Sequence, residues 1–125
     1  MKLSHEKPIA GAASAAVLAL CMLALVPTVA SSAEAGDPEA GKKVAMDRTK
    51  GNCIACHMLP GGESPGAIGP ALVAMQARYP DKEKLRAQIY DATVANPASS
   101  MPPFGKHEIL TEQEFNDIVA YIWSI

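Results

Sequence analysis

The chain has 125 residues, three cysteines and a formal net charge of −2 at neutral pH. That length fits one small domain behind a leader, and the near balance of charge excludes the basic surface that nucleic-acid binding needs. Apolar residues make up 49 % of the sequence but crowd its first quarter, so the remainder is poor in side chains with which to fill a core.

Residues 1–33 read as a cleaved export signal. Lys2 and Lys7 precede an Ala/Leu/Val-rich run over residues 9–26, Pro27 breaks it, and Ser31-Ser32-Ala33 supplies small residues before a cut after Ala33. Thr28-Val29-Ala30 and Ala33-Glu34-Ala35 offer alternative cuts. The run approaches the length that spans a bilayer, so an uncleaved anchor is a competing reading; its Ala, Gly11 and Ser14 content makes it only weakly apolar. A lipidated Cys21 is a further alternative, opposed by Leu20 standing where a small residue belongs. Cleavage leaves residues 34–125 as one domain with nine basic and twelve acidic side chains and two thiols, none to spare for a disulfide. No stable membrane insertion is expected after cleavage, and in a bacterial exported protein the expected compartment is the periplasm.

Asp37-Pro38 pairs a helix N-cap with proline at the first helical position and predicts a first helix to about Arg48. Ala40, Val44 and Met46 give it a weak apolar face, and Gly41 allows a second helix close approach. Lys42, Lys43, Arg48 and Lys50 gather there, against Glu108, Glu112, Glu114 and Asp117 near the carboxyl end. Such asymmetry either steers a docking partner or is simply a solvated face.

Next comes Cys53-Ile54-Ala55-Cys56-His57, the C-x-x-C-H attachment pattern of a c-type haem. Two thiols one turn apart can add to the two vinyl groups of one haem, and the adjoining His57 imidazole then reaches the iron. A thioredoxin-like dithiol needs a preceding strand and a βαβ context, which the pattern lacks. A zinc site needs further ligands, and no second C-x-x-C or H-x-x-x-H follows. The expected cofactor is one covalently attached haem c, bound through Cys53 and Cys56 with His57 as proximal ligand. Its buried porphyrin would add apolar area worth roughly 25 cal/mol per Å² where chain-derived burial is marginal, so the haem-free form is expected to be unfolded or molten.

Residues 58–70 are crowded with Gly and Pro and read as a loop, either a contact surface or a tolerated insertion. Residues 71–79 and 81–95 read as helices separated by Pro80, with Leu85, Ile89 and Ala92 on one face of the second and Asn96-Pro97 ending it. A second irregular stretch over residues 97–109 carries Met101-Pro102-Pro103-Phe104. The final helix has Thr111 and Glu114 as a capping box, Leu110 and Phe115 as a staple, and Phe115, Ile118, Val119 and Ile122 along a core face. Nothing alternates with period 2, and the expected class is all-α.

A haem motif after the first helix and a methionine loop before the last resembles the class I cytochrome c fold. The resemblance implies a small helical domain around one covalent haem, with first and last helices crossing, His57 as proximal ligand and a methionine of the late loop as distal ligand. Met101 is the candidate, since Pro102 and Pro103 hold it extended with little entropy to lose. Met58 adjoins His57 and Met75 lies on a helix, while His107 is the rival ligand; a second histidine would give a lower potential than a methionine. The carbonyl of Pro70 in Gly69-Pro70-Ala71-Leu72 would accept the other ring N–H of His57, unless Pro70 is a plain turn residue. One departure is Ala45, four after Gly41, where class I cytochromes often carry an aromatic.

Gly51-Asn52 with the motif, Pro65-Gly66-Ala67-Ile68-Gly69-Pro70-Ala71-Leu72, Leu85-Arg86-Ala87-Gln88-Ile89-Tyr90-Asp91-Ala92 and Met101-Pro102-Pro103-Phe104-Gly105-Lys106-His107 are together similar to the SoxX family. These are small monohaem cytochrome subunits of SoxAX, the L-cysteine S-thiosulfotransferase of bacterial sulfur oxidation. The resemblance implies an electron-transfer subunit paired with a SoxA-like cytochrome that holds the catalytic haem. It further implies transient contact with a SoxYZ-like carrier and a diffusible acceptor cytochrome. The chain offers no spare mature cysteine as a nucleophile, so no catalytic residue is expected on it. Two other functions are alternatives: a free-standing cytochrome c shuttling electrons for another dehydrogenase or oxidase, which would have the same ligands, and a haem sensor or peroxidase, which would need an open or readily displaced sixth position.

Overall fold

The computed structural model describes residues 35–125, so the signal-peptide reading, with Cys21, lies outside the described residues. Among these, four α-helices are joined by loops and one 3₁₀ turn, and there is no strand. Helix α1 is Pro38–Met46, α2 Met75–Arg78, α3 Lys82–Tyr90 and α4 Glu112–Ser124. None of them is long and apolar enough to cross a membrane.

Each boundary has a local cause. The Asp37 carboxylate accepts from the Glu39 N–H at 2.8 Å, with Pro38 following it. Helix α1 stops at Met46, two residues short of the expected end, because Asp47 turns its carboxylate onto the N–H and hydroxyl of Thr49 at 2.8 and 2.7 Å. Those bonds hold the Asp47 carboxyl below its usual range, the Thr49 hydroxyl contributing most.

Two further helices are shorter than the sequence predicts. Residues 71–73 do not join α2, because the Leu72 N–H donates to the Met58 carbonyl at 2.7 Å and so is spent on the neighbouring loop. Helix α3 ends at Tyr90 rather than near residue 95, because Asp91 binds the N–H and hydroxyl of Thr93 with its own side chain. Ala92, beyond the helix, is nevertheless fully buried.

Helix α4 is the axis of the core. Its capping box is formed by Thr111 and Glu114, and Phe115, Ile118, Val119 and Ile122 are each at most 3 % exposed. Helix α1 crosses it at backbone distance: a Cβ on Gly41 would lie 2.0 Å from the Asp117 carbonyl oxygen, and one on Gly36 2.0 Å from that of Asn116. Ala45, completely buried, belongs to the same cluster, so a small residue stands where an aromatic was the family expectation. The aromatic ends of α4 are tied elsewhere: the Tyr121 hydroxyl donates to the Pro60 carbonyl at 3.3 Å and the Trp123 indole N–H to the Tyr79 carbonyl at 3.1 Å.

Buried polar groups on α4 are satisfied. The Asp117 carboxylate accepts from the Asp37 N–H at 2.8 Å and from Gln113 at 2.7 Å, closing the N-terminus of α1 with a negative charge. Asn116 accepts from Arg86 of α3, whose guanidinium also lies 4.7 Å from the Phe115 ring centre. Part of the charge asymmetry is therefore internal: Lys50 pairs with Glu114 and Asp117 is buried.

Candidate metal centre

Between α3, α4 and the two irregular stretches lies a cavity of about 630 Å³, a size typical of cofactor sites. Cys53, Cys56 and His57 line it, and so does Met101; Leu85, Ile89, Phe104, Ile118 and Ile122 supply apolar wall. Chain folding thus gathers the motif and the late-loop methionine around one apolar chamber. His107 is exposed and is absent from the lining, Met58 is 58 % exposed, and Met75 is 2 % exposed in the core at the cavity wall.

The motif is shaped from both sides. Gly51 passes α1 so closely that a Cβ there would sit 2.7 Å from the Val44 carbonyl oxygen, and Asn52 takes the left-handed conformation at φ 46°, which asparagine tolerates. A 3₁₀ turn over Cys53–Ala55 follows, and the His57 N–H donates to the Cys53 carbonyl at 2.9 Å. Burial pushes the Cys53 thiol up to about 11, so it is protonated at neutral pH.

Residues 58–70 form a backing for that turn. The Gly66 N–H donates to Ile54 and the Gly69 N–H to Cys56, both at 2.8 Å. A Cβ on Gly66 would meet the Ala55 oxygen at 1.9 Å, and one on Gly69 would enter the His57 ring, 2.3 Å from Cε1. Pro70 then presents its carbonyl to His57 Nδ1 at 2.7 Å. A carbonyl can only accept, so Nδ1 carries the proton; in the neutral ring this tautomer leaves Nε2 with the lone pair a metal needs. The donor set, one imidazole nitrogen with two thiols beside it and a thioether in the same chamber, fits a covalently held haem.

The methionine stretch is anchored at its neck. Gly105 and Lys106 both donate their N–H to the Tyr90 carbonyl at 3.2 Å, and the Lys106 ammonium meets the Asp91 carboxylate at 2.7 Å. Lys106 first, and Thr93 after it, hold the Asp91 carboxyl down to about 2. These residues carried no signal in sequence spacing. Gly105 alone was open to suspicion, as a glycine needing close approach: its Cβ would lie 2.0 Å from the Tyr90 ring.

Residues 38–125 match the family described as Cytochrome c. Cytochrome c-552 of Bradyrhizobium diazoefficiens is 32 % identical over 108 residues, covering 85 % of this chain and 91 % of that protein. An uncharacterized lipoprotein of Aquifex aeolicus is 40 % identical over 74 residues, covering 58 % of this chain; the match spans only 36 % of that longer protein. Among solved structures, a chain of the crystal structure of SoxXA from P. pantotrophus superposes with a TM-score of 0.64 at 28 % identity, covering 71 % of this chain and 81 % of that one.

Proposed function

The chain belongs to the cytochrome c family as a SoxX-like class I member, an electron carrier with covalently bound haem c, and on that premise we propose that it is the electron-accepting subunit of a SoxAX-type complex. Cys53 and Cys56 would hold a single haem through thioether bonds, with His57 Nε2 as its proximal and the Met101 sulfur as its distal iron ligand. The haem supplies a one-electron couple. His57 is kept in orientation by Pro70, and Met101 stabilises the reduced form relative to a nitrogen ligand. The apolar wall keeps water from the centre.

The observation that carries this reading is the convergence of Cys53, Cys56, His57 and Met101 on one apolar cavity. With both described cysteines committed to haem, no thiol is left for thiosulfate chemistry among the described residues. That reaction would therefore take place on a SoxA-like partner, with a SoxYZ-like carrier as substrate and a diffusible cytochrome as final acceptor. Residues 1–33 would be removed on export, leaving residues 34–125 in the periplasm.

The near full-length match to cytochrome c-552 favours a second reading, a free-standing electron shuttle. Purification from the native host separates the two. A stable heterodimer with a larger haem protein is the expected result, whereas a lone monomer would support the shuttle. Carbon monoxide should fail to bind the reduced protein at neutral pH, because Met101 fills the sixth position; ready binding would point to a sensor or peroxidase instead.

A further inference from the structure

The segment that brings Met101 to the cavity is closed on itself at its base. Asp91 and Lys106, 15 positions apart, meet at 2.7 Å across the start and end of the arc that contains Met101. Gly105 and Lys106 add two N–H bonds to the Tyr90 carbonyl at the same point. Tyr90 is itself backed by the core: its ring meets Phe115 of α4 edge-on, with centres 5.9 Å apart and planes at 83°.

Asp91 is the hub of this closure. It is a carboxylate only 6 % exposed, with one oxygen on Lys106 and the other on the N–H and hydroxyl of Thr93. A charged group is costly to bury unless it is fully paired, and here every partner belongs to the arc it closes. Lys106 has a side chain 54 % exposed, so the pair orders the arc without a second fully buried charge.

We infer that Asp91 is a positioning residue for the sixth iron ligand, acting with Lys106 as a clasp that holds the arc closed and keeps the Met101 sulfur from leaving the iron. This rests on the reading of Met101 as distal ligand. Arcs of this length lose much entropy on ordering, and closing the base is what shortens the freely moving segment. Lys43, exposed on α1 and outside both the arc and the cavity lining, serves as the comparison.

The test is the rate at which added imidazole displaces the ligand from the ferric holoprotein, followed through the methionine-to-iron charge-transfer band. Loss of a charge-assisted bond at the neck should speed displacement roughly tenfold in Asp91→Asn and in the exposed-site variant Lys106→Met. Lys106→Arg should return the rate to that of the parent, and Lys43→Met should leave it unchanged. Parent-like rates in both neck variants, or equal acceleration in Lys43→Met, would overturn the clasp. Met101→Ala must lose the band; if it does not, the ligand assignment fails, and the clasp with it.

Discussion

A methyl group at Gly69 would occupy the space of the His57 ring, 2.3 Å from Cε1, and ring position decides whether Nδ1 reaches Pro70. Gly69→Ala should therefore turn the imidazole off its carbonyl partner. A less basic ligand stabilises ferric iron less, so the potential should rise by a few tens of millivolts, a tenfold change in relative stability being about 59 mV for one electron. Potentiometric titration of the variant checks this; an unaltered potential would mean that the Pro70 bond has no part in tuning the iron. At this scale the spacing of Cys53, Cys56 and His57 was enough to foresee that they share one site, and all three line the cavity. The sequence was silent on Asp91 and Lys106, because they pair through a tertiary closure that leaves no periodic trace. Asp91 also gives a pH dependence: its folded carboxyl lies near 2 against an unfolded value of 3.8, so its contribution is intact above about pH 4 and is lost as pH falls toward 2. Urea denaturation of the holoprotein across that window should show the loss in the parent and a shallower slope in Asp91→Asn.

Among the elements, α4 was the most readable, since capping box, staple and core stripe all act within one helix. Helices α2 and α3 came out shorter than their patterns suggested, because Leu72 and Asp91 take hydrogen bonds outside the helix that local propensity cannot foresee. The crossing of α1 and α4 depends on the absence of a side chain at Gly41. Gly41→Ala sets a Cβ 2.0 Å from a backbone oxygen, and no flexible atom is there to yield. The helices must separate, at a cost of about 3 kcal/mol, typical of the heavier overpacking cases. A lowered urea midpoint with unchanged slope is the expected result; an unchanged midpoint would mean that the two backbones do not meet at Gly41.

On the scale of the whole molecule, the cavity explains why so small a chain folds as it does. The walls contributed by α3, α4 and the two irregular stretches face a space of about 630 Å³ that side chains do not fill, so the haem-free protein should lack a cooperative melt. A sharp, native-like transition in haem-free protein would contradict that. The described cysteines are both part of the attachment motif, and the proposed function accordingly makes this chain a conduit for electrons with bond-making on a partner. Reduction of this haem by thiosulfate, recorded anaerobically with a SoxYZ-like carrier present, tests that division directly. The account predicts reduction only when a SoxA-like cytochrome is added; equally fast reduction of the isolated chain would contradict it.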